Sequence, residues 1–443
     1  MEVSVEQSEG LRRRLSVEIP ADQLEQAFST RIKQMGQRAK VPGFRPGKVP
    51  TKVLVQRYGD AARAEAVEEL LRTTYPKAIE ESELKPAGYP TFDIQAEVVG
   101  EPLKYTASFE VYPEVTLTGL DGLKVERPQV EIGEDDVERT LGTIKEQHRK
   151  WVAVDRPAAK GDKMKLDFVG KLDGEAFEGG AAEAAEVELG AGRFIPSMEE
   201  ALVGLTAGTE TTIDVSFPDD YQAENLKGKD TQFEVKILSV EAGEDPALDD
   251  PELLKSLGVE ESAGEAGLRA KVREQLERER DKAVSGKVKE QVMDGLLAAN
   301  PIDVPQAMVD EEIQRMRQEA VQRFGNMPNN DPDAMARMLP DDLFKDNATK
   351  RVALSLLISE VIQEKQIKVE EGDIDAVLAR YASELADTEQ AMQYYRSQPQ
   401  IMQQFQALAM EERVVDVLLE GATVTDQSVT FDDLMNPNNE TAE

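Results

Sequence analysis

GDKMKLDFVGKLDGEAFEGG, residues 161–180, is the stretch on which the fold turns. Met164, Leu166 and Phe168 alternate with charged neighbours, the two-residue period of a strand with one buried face. The same alternation returns at Ile213, Val215 and Phe217 and at Phe233, Val235 and Ile237. With glycine-rich turns between such runs, residues 151–245 read as a small antiparallel β domain.

Working outward, residues 1–112 read as α+β. Val3 and Val5, then Leu11, Leu15, Val17 and Ile19, alternate around Ser8-Glu9-Gly10 and predict a hairpin. Leu24, Phe28, Ile32 and Met35 follow at helical spacing. A second helical region is expected from about 51 to 84, interrupted near Gly59. Phe92, Ile94, Ala96 and Val98, then Leu103, Tyr105, Ala107, Phe109 and Val111, predict a second hairpin around Gly100-Glu101-Pro102. Two helices packed on a four-stranded sheet would leave the segment between them projecting from one end.

Residues 113–150 read as a connector with one acidic-capped helix carrying Val137, Leu141 and Ile144. After Gly243-Glu244-Asp245-Pro246 the chain turns helical, residues 246–443, with a frayed tail expected from Gly421 to Glu443. Leu268 to Leu296 form a long run at i+4 spacing, stopped by Asn300-Pro301. The fold class is therefore multidomain α+β: an α+β domain, an antiparallel β domain with a short helix, and an all-α region.

Composition excludes several chemistries. The 443 residues hold no cysteine and one histidine, His148, so thiolate chemistry and disulfides are absent and a His-based triad or metal site has one residue to work with. No cofactor or metal is called for. No apolar run approaches the roughly 18 residues of a membrane span, and no signal peptide opens the sequence. The expectation is a cytoplasmic protein that does not engage membranes.

The formal net charge is -35, yet residues 31–57 hold eight basic residues and no acid. Within them lies GFRPGKVP, 43–50, where Gly43, Phe44, Arg45, Pro46, Gly47 and Lys48 form a short tip pinned by prolines. On so acidic a chain, this is the one place that can approach a polyanion or an acidic partner without general repulsion. A merely solvated loop has no need of Phe44, or of two prolines and two glycines that restrict it to one shape.

Residues 161–180, then LGAGRFIPSMEEALVGLTAGTE at 189–210 and FPDDYQAENLKGKDTQFEVKILSV at 217–240, resemble in this order the FKBP family of peptidyl-prolyl isomerases. With GFRPGKVP upstream and a long helical region downstream, the chain resembles the trigger factor family of bacterial ribosome-associated chaperones. The resemblance implies a sheet wrapped round a short helix starting near Pro196. It also implies a pocket of Phe168, Phe177, Glu178, Phe194, Ile195, Met198, Tyr221 and Phe233 that isomerises X–Pro bonds. Phe168 and Phe233, on strands, suit core and pocket wall equally; Phe177, Phe194 and Tyr221, read as loop residues, favour the pocket. Two departures touch the site: Ser197-Met198 stands where the family usually has Gly-Phe, and Ala185 stands where an aromatic wall is frequent.

By the same resemblance, the partners are the ribosome beside the nascent-chain exit, through ribosomal protein and rRNA, and nascent or unfolded polypeptides. A homodimer off the ribosome is left open. Two helical arms, 301–360 and 361–420, would enclose a cradle. Nine of the fourteen methionines fall within 293–410, and methionine adapts to irregular partners, although each one singly suits a helix–helix core as well. A rival reading keeps the chaperone but makes the FKBP-like segment only a binding module; another makes the chain an isomerase whose helices merely dimerise it.

Overall fold

The computed structural model describes residues 2–7, 10–38, 41, 42, 44, 48–95, 100–172, 174–218, 221, 226–324, 339–383, 385 and 387–436. The chain divides into two compact units, 1–127 with 286–426 and 128–285 with 427–443. Spatial grouping thus departs from chain order.

In the first unit, β1 (Glu2–Gln7) and β2 (Arg12–Ile19) form the expected hairpin, with Val3 opposite Val17 and Val5 opposite Leu15. Helices α1 (Ala21–Arg38) and α2 (Thr51–Ser82) follow, then β3 (Thr91–Ile94) and β4 (Leu103–Glu110). The sheet order is β1-β2-β4-β3, antiparallel throughout. Its inward face, Leu15, Val17, Ile19, Leu103, Tyr105, Ala107 and Phe109, packs on Leu24 of α1 and on Val67, Leu71 and Ala78 of α2. The buried Tyr105 hydroxyl and Thr74 Oγ1 satisfy one another at 2.9 Å.

Helix α2 is continuous, contrary to the break expected near Gly59. A glycine inside a helix costs about 1 kcal/mol against alanine. Leu54 and Ala62, buried on either side of it against Ile32, outweigh that local preference.

Among the described residues, the helices of this unit gather cores around Val309 and Val352 and around Val377 and Phe405. Following β5 (Lys124–Gln129), α3 (Glu134–Gln147), β6 (Lys150–Ala153), β7 (Lys163–Leu172), β8 (Glu175–Glu188), α4 (Pro196–Leu202), β9 (Glu210–Ser216), β10 (Asp230–Glu244) and α5 (Pro251–Ser256), the long α6 runs over Gly264–Ala299. Next, α7 (Gln306–Phe324) and α8 (Asp342–Lys365) join through Val309, Ile313, Ala348 and Val352. Then α9 (Glu371–Ala382), α10 (Thr388–Ser397) and α11 (Pro399–Glu420) gather around Val377, Leu378, Phe405 and Ala409. The tail from Gly421 is not frayed over its first part: strand β11 (Thr423–Ser428) gains ladder hydrogen bonds by pairing with β5, and a short α12 (Phe431–Met435), capped by Thr430 and burying Leu434, follows. Met308 and Met316 sit half-buried against the first core, Met392 and Met402 against the second. Met327, Met335 and Met338 lie outside the described residues.

In the second unit a five-stranded antiparallel sheet centres on β10, which pairs with β7 along one edge and with β9 and then β6 along the other; β8 pairs with β7. Met164, Leu166, Ile213, Val215, Val235 and Ile237 of its inner face bury Met198 and Leu202 of α4. A neighbouring core joins Val137 and Leu141 of α3 to Leu253 and Leu254 of α5 and to Leu268, Val272 and Leu276 of α6. No helix among the described residues is long and apolar enough to cross a membrane.

Candidate functional site

The alternation that makes β7, β9 and β10 strands also delivers their aromatic residues to one face. Phe168 faces inward on β7 opposite Val235, and Phe233 on β10 stands opposite Gly170 and Ile213. The ring centroids of Phe168 and Phe233 lie 5.8 Å apart, those of Phe177 and Phe233 6.0 Å and edge-on, within the usual range of aromatic pairs.

Phe177 fits because two side chains are missing. A Cβ on Gly170 would stand 2.6 Å from Phe177 Cζ and 2.8 Å from Phe233 Cε1, and one on Gly180 would stand 2.5 Å from Phe177 Cε2. Phe177 lies within β8, not in a loop as the neighbouring glycines suggested. Those glycines make room for its ring rather than a turn.

Sequence reasoning missed Phe217. Alternation makes it the last inward residue of a strand; it lies instead one residue past the end of β9, still on the inward side, and links the cluster. It is buried, with ring centroids 4.7 Å from Tyr221, 6.3 Å from Phe177 and 6.4 Å from Phe233. Its parity with Ile213 and Val215 marked it as inward; its position at the strand end, one residue before Pro218, was the signal that it reaches the site.

Phe194 and Ile195 precede α4 and pack half-buried on the same core; Met198, in the first turn of α4, is only 1% exposed and forms its floor. Tyr221 is half-buried, its N–H donating to the Pro218 carbonyl at 3.2 Å. Seven of the eight expected residues therefore meet in one cluster. Glu178 follows Phe177 on β8, and its side chain lies outside the described set.

The two departures have local accounts. The Ser197 hydroxyl donates to the Ser216 carbonyl at 2.9 Å and accepts the Ser216 N–H at 3.1 Å, fastening α4 to the end of β9. Ala185 pairs with Leu166 beside a bulge, because Phe168 pairs with Ala182. Within the bulge Ala184 takes φ 51°, and its N–H donates to Asp167 Oδ1 at 2.7 Å.

Two carboxylates brace the surroundings. Asp162, 4% exposed, accepts from both terminal nitrogens of the Arg156 guanidinium at 2.6 and 3.0 Å and from the Ala159 N–H at 2.8 Å. The Arg156 hydrogen bond chiefly holds its carboxyl below the usual range, against the opposing effect of burial. Glu199, 5% exposed in α4, accepts the N–H groups of Gly190 at 2.8 Å, Gly192 at 3.3 Å and Phe194 at 3.0 Å. Burial pushes this carboxyl up, but the N–H groups of Phe194, Gly190, Gly192 and Arg193 outweigh it and keep the group below the ordinary glutamate value.

Of the basic tip, Phe44 and Lys48 are described and exposed, whereas Gly43, Arg45, Pro46 and Gly47 lie outside the described residues. The Phe44 N–H donates to the carbonyl of buried Val41 at 3.1 Å. On the other side, Pro50 opens α2 and Val49 packs against Ile32, Leu54 and Ala62. The stem at Val49 is thus anchored on α1 and α2, and that at Val41 is buried.

Comparison with known proteins matches three family models in chain order. The bacterial trigger factor protein matches residues 1–144, the FKBP-type peptidyl-prolyl cis-trans isomerase 154–238, and the bacterial trigger factor C-terminus 266–420. The trigger factor of Thioalkalivibrio sulfidiphilus is 43% identical over 100% of this chain and 100% of its own length. That of Ectopseudomonas mendocina is 43% identical over 99% and 98%, and that of Pseudoalteromonas atlantica 42% over 98% and 99%. With all three models in order and likeness of this level along its whole length, the chain belongs to the bacterial trigger factor family.

Proposed function

We propose that Phe168, Phe177, Phe217, Tyr221 and Phe233, with Phe194, Ile195 and Met198, form the pocket in which this chain isomerises X–Pro bonds. Membership of the family makes the chain a ribosome-associated chaperone that carries an FKBP-type peptidyl-prolyl isomerase domain and binds nascent polypeptides. The proposal concerns which residues do what.

The observation that carries it is the continuous run of five aromatic rings, buried at Phe217 and Phe233 and half-exposed at Phe168, Phe177 and Tyr221. Rotation about an amide costs about 18–20 kcal/mol because resonance is lost. The twisted transition state has less charge separation than the planar ground states, so an apolar, water-poor surface favours it differentially. No nucleophile or metal enters. The rings wall the proline, the Tyr221 hydroxyl donates to a substrate carbonyl, and Glu178 helps orient the peptide.

The wider division of labour follows the chain. Residues 1–112 dock on the ribosome through Gly43, Phe44, Arg45, Pro46, Gly47 and Lys48. Arg45 and Lys48 face carboxylates of a ribosomal protein or rRNA phosphates, and Phe44 enters an apolar notch. Residues 113–150 connect, 151–245 isomerise, and 246–443 hold unfolded chains, with arms at 301–360 and 361–420. The setting is the cytoplasm, and a homodimer forms off the ribosome.

Two substitutions test the pocket. Tyr221→Phe removes one hydrogen bond, worth about 0.5–1.5 kcal/mol, and should lower kcat/KM on a prolyl peptide by about two- to tenfold. Phe233→Tyr sets a hydroxyl among rings and should lower it further. Wild-type rates in both would leave the domain a peptide-binding module without this catalytic site.

A further inference from the structure

We infer that Glu199 is a positioning residue of the isomerase, holding residues 190–194 in the one arrangement that presents Phe194 and Ile195 to the substrate proline. The inference rests on the pocket reading above. It starts from an energetic oddity: a carboxylate 5% exposed, for which no ion pair is found among the described residues. An isolated carboxylate is costly to bury, and here the compensation comes from backbone alone. Its Oε2 accepts the N–H groups of Gly190 and Gly192, and its Oε1 that of Phe194.

The loop is shaped to meet it. Gly190 takes φ 92° and Gly192 φ 68°, conformations costly to other residues, and these glycines help turn alternate N–H groups of one short segment toward a single side chain. Residues 190–194 belong to no helix or strand, so the ladders that fix Phe168, Phe177 and Phe233 do not fix Phe194. Charge-assisted hydrogen bonds to a carboxylate are about twice as strong as neutral ones, which suits a single side chain standing in for missing secondary structure. The carboxyl also stays below its ordinary acidity range, so it remains ionised and able to accept from both oxygens.

Glu199 itself is anchored. It lies in the first turn of α4, where its own N–H bonds the Ile195 carbonyl at 3.1 Å, and the adjacent turn is fastened to β9 through Ser197 and Ser216. Position thus passes from the sheet to α4, from α4 through Glu199 to the loop, and so to Phe194.

The test uses the full chain and the variant Glu199→Gln, which keeps size but turns an amide NH2 toward a backbone donor. We expect kcat/KM on a prolyl peptide to fall about tenfold. Amide resonances of 15N-labelled Gly190 and Gly192 should move, and exchange should quicken over 190–194 but not over β10. Val240→Ala, which truncates a buried side chain of β10 opposite Met164, supplies a destabilised comparison and should retain wild-type kcat/KM. Should Glu199→Gln not fold, Gly192→Ala asks the same question, since an added Cβ there meets nothing within 4 Å and only its φ of 68° is strained. Several-fold loss is then expected. Full activity in Glu199→Gln, or in Gly192→Ala if that is the variant measured, overturns the role of Glu199 provided Phe233→Tyr is slowed. If Phe233→Tyr also keeps full activity, it is the pocket reading that fails.

Discussion

Gly170 and Gly180 set the seat of Phe177 by what they lack. Alanine at 170 would put a methyl within 2.6–2.8 Å of two rings, closer than carbon atoms approach, so Phe177 and Phe233 would have to shift. Overpacking of this kind costs about 1–3 kcal/mol. Gly170→Ala should therefore lower the melting temperature of the isomerase domain by several degrees and its kcat/KM by about tenfold, as measured by calorimetry and a prolyl-peptide assay. A methyl absorbed without loss of rate would mean that these rings need not be where they are. Residues of this kind show how far sequence goes. The inward parity of Phe168 and Phe233 was legible, because strand alternation is local. The bridging place of Phe217 and the buried carboxylate of Glu199 were not, since each depends on groups the fold brings together from elsewhere.

At the scale of elements, periodicity served well and punctuation less so. The pairing of β1 with β2, that of Thr91–Ile94 with β4 and the long helix ending before Asn300 follow from spacing of two or four residues; Ala96 and Val98 of the expected second hairpin lie outside the described residues. The expected break at Gly59 and the expected loop at Phe177 failed for one reason. Glycine was read as a local conformational signal, whereas one sits in a helix whose packing outweighs propensity and the others clear space for a ring. Asn300 likewise does more than end a helix: it is buried, accepts the Thr118 N–H at 2.7 Å and donates to the Leu296 carbonyl at 2.9 Å. The basic tip between α1 and α2 carries a prediction of its own. Its exposed Phe44 and Lys48 rise from stems fixed by Val41, Val49 and Pro50, so substitution at the tip should not disturb the core. Phe44→Ala with Arg45→Ala should abolish co-sedimentation with ribosomes while the circular dichroism spectrum stays unchanged. Wild-type binding should itself weaken as salt rises, because exposed charge supplies much of it. Undiminished co-sedimentation of the double variant at moderate salt would remove the tip from the docking role.

For the whole molecule, the entry and exit of the isomerase segment lie side by side. Strand β6 pairs with the end of β10, Val152 opposite Ala242 and Trp151 opposite Gly243. The domain can thus be excised at its neck and the flanks joined without spanning a gap. Holding is assigned to helices with cores of their own, among them those around Val309 and Val352 and around Val377 and Phe405, where half-buried methionines line the packing. A pocket for one proline covers only a few residues of a client, so most affinity for unfolded chains should come from that larger apolar area. The most direct measurement is light scattering of an aggregating, refolding client in the presence of the chain lacking 151–245, its flanks joined by a flexible linker. Most of the suppression of aggregation should persist while prolyl isomerisation is lost. Complete loss of protection by a deletion variant that remains folded would contradict the division between holding and isomerising.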